Sequence, residues 1–350
     1  MDELKLVHFK EISLDDPFFD SLKGDYAEFS VWFKNKSEET AFAQFTEGEL
    51  TGFLYPKLET GAVTDVIPQL PPARLIKIGT LKVDAHGTKL GERLLKKAFD
   101  SAVVQKAQEL YITVFPKHML LISLLKEYGF VFAGTKKTKN GTEEVYIKSL
   151  ASEKMTGDLY KDYPLVDLRN SKSYILSIKP EYHTKLFPDS ILKNEGYDLL
   201  SDVSHTNSIN KTYICAMEGI DLLRSGDVLL IYRTKDDQGA AEYRSVATSI
   251  CSVVEMKPRA SFSSFAEFIS FTEPYSVFSE KELLYWWKKQ NMCVIKMLYN
   301  IAFTKKVIRK TLIENIGIER NIYWGFLNIS KNQLIQAANI GGVNESLIIN

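Results

Sequence analysis

Residues 75–95 read LIKIGTLKVDAHGTKLGERLL, and the way this stretch divides decides the fold. Its first part, 75–83, is a run of apolar and β-branched residues with the character of a strand. From there on, Leu90, Leu94, Leu95, Ala98, Phe99 and Ala102 recur on one stripe, which predicts a helix over 90–106 with a fixed core face. Between the two elements the chain spends Gly87 and Gly91 on a turn. A tight strand-to-helix connection accounts for these glycines. So does an anion site, because the first N–H groups of a helix lack partners inside it and the helix dipole favours negative charge there. Gly79, in mid-strand, predicts a bulge or a close approach to the backbone that splays the strand from its neighbour.

Upstream of this unit lie LKLVHF, a helical region around Asp15 to Lys36, TAFAQF, LTGFLY and a Pro-rich break, VIPQLPPA. Downstream come strand LYITVF, a helix over 118–128, and strands FVFAG and VYIKS around an Asn-Gly turn. The alternation predicts an α/β architecture, a mixed sheet with helices packed on it. EKMTGDLYKDYPLVDLRNSKS is polar and without a clear period, and reads as a linker. The expected organisation is a domain over 1–152, a linker over 153–172 and a second domain over 173–350. In the latter, SYILSI, TYICAM, DVLLIYRT, YRSVATSICSVVEM and MCVIKMLYNIAF are strand-like, and SFAEFISF, SEKELLYWWKKQ, KKVIRKTLIENIG and KNQLIQAAN are helical. A small β-barrel with peripheral helices satisfies both signals.

The 350 residues suffice for two domains of ordinary size, and the apolar share of 45% with a charged share of 25% is that of a globular protein. Lys and Arg (44) balance Asp and Glu (44), so no global field draws in nucleic acid and any such binding needs a local patch. Cys215, Cys251 and Cys293 lie far apart without a Cys/His cluster; they read as small buried residues, and no metal is expected. No apolar run approaches the ~20 residues of a membrane helix, and the start MDELK is acidic, so the expected compartment is the cytoplasm.

The block IGTLKVDAHGTKLGERLLKKAFDSAVVQKAQELYITVFPKHMLLISLLKEYGFVFAG resembles the acetyl-CoA-binding core of the GNAT acyltransferase superfamily, by motif over 75–134 and by topology over 1–150. In that superfamily an Arg/Gln-x-x-Gly-x-Gly/Ala loop joins the fourth strand to a helix, and its amides hold the cofactor's pyrophosphate. Here His86 stands at the Arg/Gln position, Lys89 at the middle glycine and Gly91 at the last; Gly129 and Phe130 supply the family's Gly-Phe pair. The resemblance implies acetyl-CoA as co-substrate, bound by Leu81 and Val83 of the strand and by His86, Gly87, Thr88, Lys89, Leu90, Gly91 and Glu92 around the turn. Two departures stand out. Lys89 replaces a glycine, and Leu125 stands where many members place a tyrosine that protonates the departing thiolate. Tyr128 is either a packing residue or a substitute acid. No glutamate occurs in 75–83, where several relatives keep one, and Asp84, His86 and His118 are the titratable residues nearby, each also readable as a turn or cap residue. The catalytic candidates are therefore Tyr128, His118 and Asp84. The implied chemistry is attack of an amine on an acetyl thioester, with the carbonyl oxygen polarised by strand N–H groups. An amine already neutral near pH 7, such as the α-amino group of an aminoacyl-tRNA, needs no strong base.

SYILSIKPEYHTKLF resembles the opening of ASCH domains, relatives of the PUA fold that commonly bind RNA: an apolar strand ends in Ile-Lys-Pro and a helix follows. The family's Gly-x-Lys-x-x-Glu-x-Arg signature is not reproduced, since PDSILKNEGYD has Lys193 and Glu195 without the spacing or the arginine. Candidate RNA contacts are Lys179, Lys211, Arg233, Lys235 and Arg244, with Tyr232 as a stacking face. Pairing of Arg233 and Arg244 with Asp236, Asp237 or Glu242 is the alternative. KKVIRK, 305–310, reads as a solvated helix face with Val307 and Ile308 inward, and Trp286 and Trp287 as capping the core. The leading expectation is an N-acetyltransferase whose PUA-like domain collects an acceptor such as tRNA or another RNA-protein particle. The alternatives are an acetyl-CoA-binding regulator or RNA-binding protein, and a small-molecule acetyltransferase whose second half encloses the acceptor or forms a homodimer.

Overall fold

A computed structural model of the chain describes residues 3–84, 89–188 and 208–350. The chain packs as two compact units, the first ending at Lys161 and the second beginning at Asp162. The expected linker is thus divided between them. Its second part is packed chain, because Tyr163, Leu165, Val166 and Leu168 are buried and Val166–Asp167 forms a short parallel ladder near the C-terminus.

In chain order the first unit comprises β1 (Glu3–His8), α1 (Asp20–Asp25), α2 (Phe29–Lys34), β2 (Thr40–Thr46), β3 (Glu49–Val63), β4 (Leu70–Val83), α3 (Leu90–Val104), β5 (Glu109–Val114), α4 (Met119–Glu127), β6 (Val131–Thr138) and β7 (Gly141–Ser149). The strands form one mixed sheet in the order β1-β2-β3-β4-β5-β7-β6, parallel only between β4 and β5. α3 lies against β3, β4 and β5, burying the predicted stripe of Leu94, Leu95, Ala98, Phe99 and Ala102. Phe9, Phe18, Phe19, Phe29, Phe33 and Phe53 form a separate aromatic core with α1 and α2. Alternation along β3 separates the two faces: Gly52 meets Leu90 and Leu94 of α3, while the next residue, Phe53, joins the aromatic core. The Pro-rich break is shorter than expected. β4 starts at Leu70 and passes through Pro71 and Pro72, the far end of a long hairpin with β3, where no ladder to β5 has begun.

The second unit comprises β8 (Val166–Asp167), β9 (Ser173–Ile178), α5 (Pro180–Leu186), β10 (Asn210–Cys215), β11 (Val228–Arg233), α6 (Ala241–Arg244), β12 (Val246–Pro258), α7 (Phe265–Thr272), α8 (Glu280–Trp287), β13 (Cys293–Ile308), α9 (Arg309–Glu314), β14 (Phe326–Ile329), α10 (Lys331–Ile340) and β15 (Ile348–Ile349). Six strands form a mixed sheet, β10-β13-β12-β11-β9-β14, parallel between β9 and β11. Among the described residues no ladder joins its edges, β10 and β14, into a closed barrel. Every residue of β9, β10 and β11 is buried, so these strands are covered on both faces. The three cysteines are buried free thiols, and Trp286 and Trp287 pack half-buried against the core.

KKVIRK is not a helix face: Lys305 to Ile308 end β13, with Val307 and Ile308 paired to Ala247 and Val246, and the helix starts only at Arg309. The β-branched pair finds a buried strand partner, and that decides the element. Among the described residues no helix is long and apolar enough to cross a membrane.

Candidate functional site

β4 and β5 are partners for only four residues, from Leu75 opposite Glu109 to Ile78 opposite Ile112. Beyond that point β4 continues to Val83 paired with β3 alone, and β5 continues to Val114 paired with β7 alone. The central sheet therefore opens between these two strands. The parting coincides with a bulge, since Tyr55 lies opposite Thr80 and Pro56 opposite Ile78, which leaves Gly79 as the extra residue. Pro56 has no N–H to give to the ladder, and Gly79 is exposed. A Cβ at Gly79 would stand 2.8 Å from the Tyr55 ring. The bulge read from the sequence is present, and the edge of β4 from Gly79 to Val83 carries backbone groups without a ladder on the β5 side.

The expected cofactor residues that are described lie on β4 beyond its last β5 pair, Leu81 and Val83, and at the start of α3, Lys89 to Glu92. Leu81 and Val83 are half-buried, on the part of β4 that is paired with β3 alone. Lys89 is the N-cap of α3 and Leu90, Gly91 and Glu92 form its first turn, whose N–H groups have no partner within the helix. Leu90 is buried against Gly52, and Gly91 lets α4 approach, since a Cβ there would be 3.2 Å from Leu124. Glu92 is buried. The carboxyl of Glu127 is held above its usual value by burial, then by Glu92, with Lys89 opposing. His86, Gly87 and Thr88 lie outside the described residues.

The Gly-Phe pair closes α4. The Phe130 N–H donates to the Leu125 carbonyl at 3.0 Å and the Gly129 N–H to that of Lys126 at 3.1 Å, a helix stop that needs a left-handed residue, and Gly129 has φ +77°. A Cβ there would also fall on the Lys161 carbonyl. Tyr128 beside it is 1% exposed and meets Tyr160 edge-on at 6.0 Å. Of its two readings, this burial favours packing, because the side chain offers almost no surface to a reacting group.

Asp84 and His118 lie at the carboxyl ends of the two parted strands. Asp84 is exposed, with its N–H on the Thr51 carbonyl and a carboxylate oxygen 3.2 Å from Lys82 Nζ. His118 is the N-cap residue of α4, its Nε2 3.0 Å from Asp25 Oδ2. The sequence reading missed the segment that joins these ends. Lys82 of β4 donates to the Phe18 carbonyl and to Ser21 Oγ, while Asp25 takes Lys117 and His118. Tyr26 stacks on Phe115 at 5.2 Å and donates to Glu143 at 2.6 Å; burial, then Glu143, raises its phenol. Residues 18–26 therefore span from β4 to the end of β5. All these ties are long-range, so no local signal announces them.

In the second unit a cleft of about 620 Å³ is lined by Lys179, Tyr232 and Lys235 among others. Arg233 and Arg244 are not on it. Arg233 is buried, on a strand covered on both faces. Arg244 is engaged by both Asp236 oxygens, one at 2.8 Å from Nε, and this pairing lowers the Asp236 carboxyl to about 2. Lys211 is buried too, its ammonium 5.7 Å from the Tyr299 ring centre. Lys193 and Glu195 lie outside the described residues.

No family model and no curated protein matches the chain. Among solved structures, the IAA acetyltransferase from Bacillus cereus ATCC 14579 is similar at a TM-score of 0.32 and 12% identity, over 43% of this chain and 100% of that one. Arabidopsis thaliana Naa50, in complex with a bisubstrate analogue, gives 0.28 and 19% over 42% and 98%. A point mutant of ZmASCH from Zymomonas mobilis gives 0.34 and 9% over 49% and 97%. The structural neighbours thus include GNAT acetyltransferases and an ASCH protein, each over less than half of this chain.

Proposed function

We propose that the first unit is a GNAT-type N-acetyltransferase domain that moves an acetyl group from acetyl-CoA to an amine. The observation that carries this reading is the parting of β4 from β5 at Gly79, with Leu90 of the first turn of α3 packed on Gly52, the β3 partner of Val83. An unpaired strand edge meeting a helix N-terminus suits a ligand with an extended, amide-bearing arm and a diphosphate: the edge can pair with the arm, and the helix N–H groups with the anion. Acetyl-CoA supplies a thioester whose carbonyl carbon gains a C–N bond to the amine as its C–S bond breaks. In this reading an N–H within Gly79 to Val83 that points away from β3 holds the carbonyl oxygen, and Leu81 and Val83 flank the arm. In this reading Asp84 or His118 accepts the proton that the amine releases. With Tyr128 buried, the thiolate takes its proton from water.

In the second unit, a PUA-like fold with Lys179, Tyr232 and Lys235 at its cleft would collect the acceptor, tRNA or another RNA-protein particle. The test is release of free thiol from acetyl-CoA, followed with a thiol reagent, in the presence of α-amino peptides or charged tRNA. Asp84→Asn and His118→Ala together should lower kcat roughly 100-fold or more. The alternative of an acetyl-CoA-binding regulator is favoured by Leu125 and by the burial of Tyr128. Cofactor binding without thiol release from any acceptor pool would select it.

A further inference from the structure

Lys77 of β4 has no part in the preceding reading, although it lies two residues before the Gly79 bulge. In the parallel ladder it is opposite Tyr111, one pair before the last contact of β4 with β5, Ile78 opposite Ile112. Its side chain shares a face of the sheet with Leu75 and Tyr111, where Val63, Val66, Leu70 and Val145 complete a small apolar cluster. The residue is half-buried, and its ammonium lies 5.6 Å from the Tyr111 ring centre.

The charges around Lys77 leave it without a partner. Directly opposite on β3 stands Lys57, and like charges so placed repel. The nearby carboxylates, Glu59 and Asp65, are already engaged: Glu59 accepts from the Tyr111 hydroxyl and from Lys57 at 3.1 Å, and Asp65 accepts from Lys136. Among the described residues Lys77 itself has no hydrogen bond and no ion pair. Burial first, then Lys136, hold its ammonium below the usual lysine range against the opposing pull of Glu59 and Asp65. A desolvated lysine is more readily the free amine, and the free amine is the nucleophile. An acyl group on Nζ removes a charge that crowds Lys57 and leaves a neutral amide beside the apolar cluster.

We propose that Lys77 is acetylated on Nζ by the acetyl-CoA that the first unit binds, so that the chain is an acceptor of its own acetyl group. The inference rests on the reading of that unit as an acetyltransferase and adds a modification site to it. The ammonium first gives one proton to water. Nζ then forms a C–N bond to the thioester carbonyl carbon as the C–S bond breaks, and a second N–H proton passes to the departing thiolate. The products are acetyl-lysine and the free thiol of coenzyme A, and nothing is oxidised or reduced. The nearest residue proposed to hold the carbonyl, Gly79, lies about 7 Å along β4 from Lys77, a separation that a lysine side chain spans.

The test incubates the full chain with acetyl-CoA and follows acetyl-lysine by peptide mass spectrometry, with binding of acetyl-CoA measured on the same protein by calorimetry. Lys77 should be acetylated roughly 100-fold faster than Lys57 and Lys136, the scale on which positioning separates otherwise similar amines. Excess coenzyme A, which brings no acetyl group, should suppress the reaction, and the chain unfolded in urea should show no preference among the three lysines. Binding of acetyl-CoA with equal labelling of these lysines, with no labelling of Lys77, or with labelling that coenzyme A fails to suppress overturns the inference and leaves the acetyltransferase reading standing. No binding of acetyl-CoA overturns both.

Discussion

Gly79 and Gly129 are held as glycine by different neighbours. At Gly79 an added Cβ meets the Tyr55 ring at the bulge, so Gly79→Val should cost about 1–3 kcal/mol by overpacking and weaken acetyl-CoA binding more than Leu58→Ala, further along the same hairpin. At Gly129 the constraints are a φ of +77° and the Lys161 carbonyl. Gly129→Ala should therefore lower stability by at least about 1–2 kcal/mol, read from chemical denaturation. Tyr128→Phe keeps the buried ring and should leave thiol release within about twofold of the parent; a loss of roughly 100-fold, the scale of a lost general acid, would restore the tyrosine as the acid. The sequence exposed these residues unevenly. Gly79 and the Gly-Phe pair were legible because a glycine in a strand and a glycine after a helix each have few physical reasons. For Arg244 the pairing with Asp236 was one of two open readings, and Arg233 and Lys211 were not legible, because a basic residue near a strand end looks the same whether it faces solvent or the protein interior.

Among the elements, β4 is the one whose two halves differ. Leu75 to Ile78 is bonded on both sides, and Gly79 to Val83 on the β3 side only. Amide hydrogen exchange should be slow over 75–78 and faster over 79–83, and acetyl-CoA should slow the second group selectively. Uniform protection along β4 without ligand would contradict the opening. The inner strands and α3 of this unit followed from alternation and from the α3 stripe, while the outer β3–β4 hairpin through Pro71 and Pro72 did not. β13 did not, because Lys-Lys-Val-Ile-Arg-Lys fits an amphipathic helix turn as well as a strand end, and only its pairing with Val246 and Ala247 distinguishes the two. The tie from residues 18–26 to β4 and β5 rests on contacts far apart in sequence and had no local pattern to read.

At the scale of the whole molecule, a buried histidine makes the second unit sensitive to acid. His183 of α5 is fully buried, its Nε2 2.8 Å from Thr248 Oγ1. Burial, with Arg233 and Lys306 adding like charge, takes its value down to about 3 from 6.5. Between those values the unfolded chain binds a proton that the folded chain excludes, so this group's contribution is present above pH 6.5 and is lost as pH falls toward 3. The melting temperature of the second unit should fall between about pH 7 and about pH 4.5, and less steeply in His183→Leu; an equal slope in both proteins would remove His183 as the cause. The units divide between Lys161 and Asp162, whereas the change of texture in the sequence falls near Ser173, because the packed chain between them is polar in composition. Calorimetric titration of the intact protein with acetyl-CoA tests the central claim most directly. One equivalent should bind, with affinity reduced in Gly79→Val, and no heat of binding from either acetyl-CoA or coenzyme A would contradict a ligand site at the parting of β4 and β5.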